Sequence, residues 1–188
     1  YGLLDQRVNR LAHRLRAAGV DRGQSVMVLL EPELDVPSVL FALLRIGAVY
    51  VPLDPQYPTA RIEAMLADVR PALVVSRRSL IDRLGVRVSV PVLALDADAA
   101  SIERASTTPL PHDVAPTAAA TIFHTSGTPG RPKGAIATHA NLAFFAEAAH
   151  ERYGHHADDI IPVIARFSFS ISVFEIVVPL TAGAAIVI

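Results

Sequence analysis

The stretch His124-Thr125-Ser126-Gly127-Thr128-Pro129-Gly130-Arg131-Pro132-Lys133-Gly134 gathers more potential chemistry than any other part of the chain. Gly127, Gly130 and Gly134 allow close backbone approach to a ligand and positive φ. Thr125, Ser126 and Thr128 supply hydroxyls, and Arg131 and Lys133 supply positive charge; Lys133 is the only lysine present. Hydroxyls, free backbone N–H groups and a cation are what an oligophosphate needs. The order does not fit G-x-x-x-x-G-K-[ST], because Lys133 does not follow a glycine, nor does it fit G-x-G-x-x-G. A surface connection rich in Gly, Pro and Ser accounts for the same residues equally well. The residues alone therefore leave both readings open.

The elements that must position this stretch alternate between strand and helix. Val8, Leu11, Ala12 and Leu15 have the i, i+3, i+4, i+7 spacing of an amphipathic helix, which Gly19 ends. Ser25 to Leu30 is an apolar run suited to a buried strand. Asp35 and Pro37 open a second helix and Gly47 closes it. Val49 to Val51 is a strand that leads into a turn around Pro52, Asp54, Pro55 and Pro58. Thr59 is expected to cap a helix with Ile62, Leu66 and Val69 as its core stripe and Met65 beside it. Ala72 to Val75 and Pro91 to Leu95 complete the strands of the first segment, residues 1–95. Residues 96–117, rich in Ala, Ser, Thr and Pro, are expected to form a linker. A second segment, 118–188, has strands at Ala119 to Phe123 and Gly134 to Ala137, with a helix from Asn141 to about Tyr153. This helix carries Leu142, Phe145 and Ala149 as its core stripe. The alternation predicts an α/β fold with mainly parallel, layered sheets and flanking helices.

Composition narrows the function classes. Of the 188 residues 52% are hydrophobic and 19% charged, and the formal net charge is −1. That describes a folded chain and argues against nucleic acid as a partner. The absence of cysteine removes any disulfide framework or thiolate metal site and fits a reducing, cytoplasmic compartment. No apolar run is long enough to span a bilayer. His150, His155 and His156 lie close together but lack further ligands, so they read as surface residues, and no metal site is expected. Tyr50, at a strand position, reads as core. Ser172-Val173-Phe174-Glu175 has the pattern of a capping box opening a helix. The chain starts inside a helical pattern and ends on the apolar run Ala184-Ala185-Ile186-Val187-Ile188. It is therefore expected to be a piece of a larger domain.

Thr125-Ser126-Gly127-Thr128-Pro129-Gly130-Arg131-Pro132-Lys133-Gly134 resembles the T-S-G-[ST]-T-G-x-P-K-G signature of the adenylate-forming enzymes. Leu44 to Pro55, L-R-I-G-A-V-Y-V-P-L-D-P, is similar to L-K-A-G-x-A-Y-V-P-L-D-P of the nonribosomal peptide synthetases. Tyr57 to Ile62 continues in the same manner, and Phe169 to Ile176 resembles F-D-x-S-V-x-E-I. The likeness runs through essentially the whole chain in the family's order. It implies the N-terminal part of the adenylate-forming fold.

The resemblance implies an adenylation domain that joins an amino or other carboxylic acid to AMP, using Mg-ATP and releasing pyrophosphate. The acyl group then passes to a phosphopantetheine thiol on a partner carrier protein beside neighbouring synthetase domains. By the same carry-over Thr125, Ser126, Gly127, Thr128, Gly130 and Lys133 contact the phosphates. Phe169, Ser170, Ile171 and Phe174 line the acid pocket, and no residue of the chain is assigned as catalytic. Magnesium, adenine and the family's C-terminal lysine are expected to belong mainly to residues after 188, so this polypeptide alone is expected not to catalyse adenylation.

Several positions depart from the pattern. Pro129 replaces a threonine, removing one hydroxyl and one N–H. Ser170 stands where the family has an Asp that pairs with the substrate's α-ammonium. Burying an ammonium without a carboxylate is costly, so Ser170 implies an acid lacking that group, or no substrate. His124 stands at a usual tyrosine, and Ala165-Arg166 replaces the usual lead-in to Phe169. Two alternatives stay open: a degenerate domain serving as a scaffold, and the acyl-CoA ligase branch.

Overall fold

The structure, a computed structural model, describes residues 1–125 and 133–188. The chain divides into two compact units, residues 1–114 and 115–188.

In the first unit helix α1 (Gly2–Ala17) buries Val8, Leu11, Ala12 and Leu15, the stripe its spacing dictates. Ala18 is the C-cap and Gly19 follows it with φ +86°, so the left-handed residue falls just past the cap. Strand β1 (Ser25–Leu29), helix α2 (Asp35–Ile46), strand β2 (Val49–Leu53), helix α3 (Thr59–Val69) and strand β3 (Leu73–Ser76) follow. Helix α4 (Arg78–Leu84), strand β4 (Val92–Ala94) and helix α5 (Ala99–Glu103) complete the unit. All pairings here are parallel, in the order β4-β3-β1-β2. The strands read as continuous apolar runs because the sheet is buried on both faces. Tyr50 is 1% exposed, and burial pushes its phenol pKa up.

Four local expectations change. Pro52 lies inside β2, opposite Val28, so the strand runs two residues beyond Val51 before turning. Thr59 does not cap α3: Pro58 is the N-cap, and the Thr59 hydroxyl donates to the Leu84 carbonyl at 3.0 Å. The α3 core is Ile62 and Met65, while Leu66 and Val69 are half-buried. Within the segment expected as a linker, α5 places Ile102 fully out of water.

Charge ties this unit together. Arg7 on α1 reaches Asp35 at 3.1 Å, Asp35 reaches Arg77 at 2.8 Å, and Arg77 pairs with Glu33 at 3.0 Å. The Glu33 carboxylate holds the Arg77 pKa above its ordinary value.

The second unit holds β5 (Ala119–Thr125), β6 (Lys133–Thr138), α6 (His139–Tyr153), β7 (Ile160–Pro162), α7 (Ser170–Thr181) and β8 (Ala185–Val187). Strands β5 and β6 are antiparallel, whereas β7 and β8 are parallel. Thus an antiparallel pair interrupts the otherwise parallel character. The two units together remain α/β with mostly parallel strand pairing and flanking helices.

Candidate functional site

The register of β5 and β6 sets Thr125 opposite Lys133 and His124 opposite Gly134. The signature therefore joins two paired strands, with residues 126–132 connecting them. Ser126, Gly127, Thr128 and Gly130, expected at the phosphates, lie outside the described residues, as does Pro129. Thr125 is the last residue of β5 and Lys133 the first of β6, so two of the six expected phosphate contacts bracket the connection. Lys133 is exposed at this end of the pair.

Gly134 serves a purpose different from the one its neighbourhood implies. Its φ is not positive, and a Cβ built on it would lie 2.9 Å from Cγ2 of Ile122. A β-branched side chain cannot swing clear of such a contact without leaving its rotamer. The missing Cβ thus lets β6 pass Ile122 beside Lys133.

Helix α6 is aimed by its own first turn. The Thr138 hydroxyl accepts from the Asn141 N–H at 3.2 Å, and Asn141 Oδ1 accepts from the Thr138 N–H at 2.9 Å. This reciprocal pair satisfies N–H groups that a helix start leaves open. It moves the helix start from the expected Asn141 to His139 and joins α6 directly to the end of β6. The core stripe of α6 is Leu142, Ala146 and Ala149; Phe145, expected with them, is 39% exposed.

The expected acid-pocket residues cluster at the start of α7. Phe169 is its N-cap, Ser170 its first residue, and Ile171 and Phe174 lie within the next turn. Phe169 and Ile171 are 58% and 50% exposed, Ser170 is exposed, and Phe174 is half-buried. Positions 170 and 174 are four apart and 171 and 174 three apart, so these side chains share one helix face. Partly exposed aromatic and aliphatic groups beside a helix N-terminus make a surface able to take an apolar group.

The capping box expected at Ser172 does not form, because α7 already begins at Ser170. The Ser172 hydroxyl, 1% exposed, donates to the Phe169 carbonyl at 2.7 Å. Glu175 reaches further back: one of its carboxylate oxygens accepts from the N–H groups of Ile164 (3.0 Å) and Ala165 (2.9 Å). Glu175 therefore fastens the segment leading into Phe169 onto α7. No spacing rule announces a bond between residues ten and eleven apart across a bend, so the sequence carries no signal for it.

Nearby, His150 Nε2 lies 2.9 Å from the Thr181 hydroxyl, and its ring meets His155 edge-on. Among the described residues no group of three or more His, Asp or Glu side chains could hold a metal ion. Also among the described residues, no helix is long and apolar enough to cross a membrane.

Known proteins converge on this chain. The family profile described as AMP-binding enzyme matches residues 1–188. A dimodular nonribosomal peptide synthase of Bacillus subtilis (strain 168) is 33% identical over 190 residues, covering 100% of the chain but only 8% of that relative. A solved nonribosomal peptide synthetase, FmoA3, in a form bound to alpha-methyl-L-serine-AMP, superposes with a TM-score of 0.90. It is 27% identical, over 99% of this chain and 20% of that one. VinN in complex with L-aspartate gives a TM-score of 0.89 at 27% identity, over 98% of this chain and 49% of that one.

Proposed function

The chain belongs to the AMP-binding enzyme family, and from that premise we propose that it is the N-terminal portion of a nonribosomal peptide synthetase adenylation domain. Its part in the reaction is to hold ATP's phosphates and to begin the acid pocket. A substrate carboxylate oxygen attacks the α-phosphorus of ATP. The new O–P bond forms as the bond to the bridging oxygen of the β-phosphate breaks, and pyrophosphate leaves with the electron pair. A carboxylate is a poor electrophile, whereas its mixed anhydride with AMP carries a good leaving group.

The observation that carries this reading is the placement of Thr125 opposite Lys133. It puts the chain's single lysine at the rim of the hydroxyl- and glycine-rich connection. An exposed ammonium there offsets charge that accumulates on departing pyrophosphate. Thr125, Ser126, Gly127, Thr128 and Gly130 complete the proposed phosphate contacts, and magnesium accompanies ATP on residues outside this segment. Phe169, Ser170, Ile171 and Phe174 form the proposed entrance wall for the acid.

Ser170 sets the substrate class. A neutral hydroxyl cannot balance an α-ammonium, which favours hydroxy, keto, aryl or β-amino acids. The product acyl group is then passed to the phosphopantetheine thiol of a carrier domain. The scaffold and CoA-ligase alternatives lack a favouring observation, since the relatives and neighbours named above are a peptide synthase, a peptide synthetase bound to alpha-methyl-L-serine-AMP, and VinN in complex with L-aspartate.

Pyrophosphate–ATP exchange by the complete adenylation domain containing this segment, over a panel of acids, tests the proposal. Exchange is expected with an acid lacking an α-ammonium, and S170D should move the preference toward α-amino acids. No exchange with any acid, in wild type or in the S170D/P129T double variant, would overturn it in favour of the scaffold.

A further inference from the structure

The aromatic ring of Phe145 packs on that of Phe174, with centroids 3.6 Å apart and planes tilted by 32°. This contact joins a residue outside every proposed site to one inside the acid pocket. Phe145 lies on α6 at the margin of the buried stripe: Leu142, Ala146 and Ala149 are each at most 7% exposed, while Phe145 is 39% exposed. The neighbouring Phe144, at 73%, faces away from that stripe. Phe145 is thus not a core residue by burial, and its ring is occupied with Phe174.

On α7 the Phe174 side chain leans toward the helix N-terminus, over the turn that carries Ser170 and Ile171. Its reach across that face depends on its χ1 rotamer, and rotamers of a half-buried ring are held by what stands behind it. Phe145 is what stands behind it. The backing is itself anchored, because α6 is fixed to the end of β6 by the Thr138–Asn141 capping box. The ring that supports the pocket wall therefore hangs from the same strand that begins at Lys133.

We propose that Phe145 is a specificity-determining positioning residue for adenylation: by stacking on Phe174 it fixes how far that ring intrudes where the acid's side chain enters. The inference rests on the reading of Phe174 as a pocket wall. Phe145 acts through Phe174 and is not itself a catalytic residue. Truncating it frees Phe174 to swing toward α6, which opens room for longer or bulkier acids.

The test measures pyrophosphate exchange by the complete adenylation domain as wild type, F145A, F145L, F174A and F145A/F174A, over acids graded by side-chain length. For F145A the KM of the best wild-type acid should rise by up to about tenfold, the worth of an aromatic pair. Longer acids should gain in rank, and the KM for ATP should stay within twofold. F145L, which keeps apolar bulk, should fall between wild type and F145A. F174A should re-rank the acids in the same direction, and the double variant should add nothing to it. Re-ranking by F174A without any by F145A overturns the role of Phe145 and leaves the pocket reading standing. An unchanged ranking in F174A overturns both. If the wild-type domain exchanges with no acid, NMR of the 188-residue chain decides: F145A should turn a single χ1 rotamer of Phe174 into an average of several, and an unchanged single rotamer overturns the proposal.

Discussion

Replacing Glu175 by alanine removes the acceptor for two backbone N–H groups at 3.0 and 2.9 Å. A hydrogen bond to a charged group contributes about 1.5–3 kcal/mol. The Ile164 amide lies at an exposed position, so water replaces that partner cheaply, whereas the Ala165 amide is partly buried. One charge-assisted bond is therefore the net loss, about 1.5–3 kcal/mol, or at least roughly tenfold in the unfolding equilibrium of the unit. E175Q keeps one carbonyl oxygen in the same place and should lose about half as much. Urea unfolding of wild type, E175A and E175Q measures the difference, with an unchanged m-value separating stability from compactness. Hydrogen exchange locates it: the Ala165 amide should lose protection at least tenfold in E175A, while amides of β1 and β3 keep theirs. An E175A variant within about 0.5 kcal/mol of wild type, with Ala165 still protected, would refute the strut.

Other outcomes follow from the same geometry. G134A must push Cβ against Ile122, so it should cost about 1–3 kcal/mol in thermal or urea unfolding; an I122A partner substitution should recover part of that, and a neutral G134A would contradict the close approach. Asp96 accepts from the N–H groups of Arg78, Ser79 and Ala97 and from the Ser79 hydroxyl. Desolvation opposes ionisation there, but these donors win and hold the Asp96 carboxyl below its ordinary range. The folded state thus binds that proton less readily than the unfolded chain, so the stabilisation is complete above about pH 4 and fades as pH falls further. Urea midpoints should accordingly separate wild type from D96N at pH 7, with the gap narrowing progressively as pH falls below about 4; a gap independent of pH would contradict it.

Much of the architecture is written in local spacing. Val8, Leu11, Ala12 and Leu15 define the buried face of α1 before any neighbour is known, and Gly47 marks the end of α2 with φ +71°. What escaped depends on partners distant in sequence. Pro52 reads as a strand breaker, yet pairing with Val28 in a fully buried strand carries it into β2. The start of α4 is polar and lacks a side-chain cap of its own, because its cap comes from Asp96, some 17–18 residues onward. Thr59 has the residue type of a cap but spends its hydroxyl on Leu84. At the site, residue types alone left the glycine- and hydroxyl-rich stretch open between a phosphate loop and a surface connection, and only the family resemblance pointed to it and to the four positions near α7. Neither could assign Gly134 to close packing, Glu175 to the preceding segment, or Phe145 to the ring of Phe174. Each of those roles depends on which atoms the fold brings within a few ångströms.

The most direct measurement is the ATP dependence of pyrophosphate exchange in the complete adenylation domain with and without the Lys133 ammonium. Lys133 begins β6 opposite Thr125, at the mouth of the connection proposed to hold the phosphates. K133A should raise the KM for ATP, or abolish exchange, by at least tenfold while leaving the KM for the acid nearly unchanged, and K133R should recover part of the loss. Exchange by K133A indistinguishable from wild type at every ATP concentration would contradict the assignment of this hairpin to the polyphosphate.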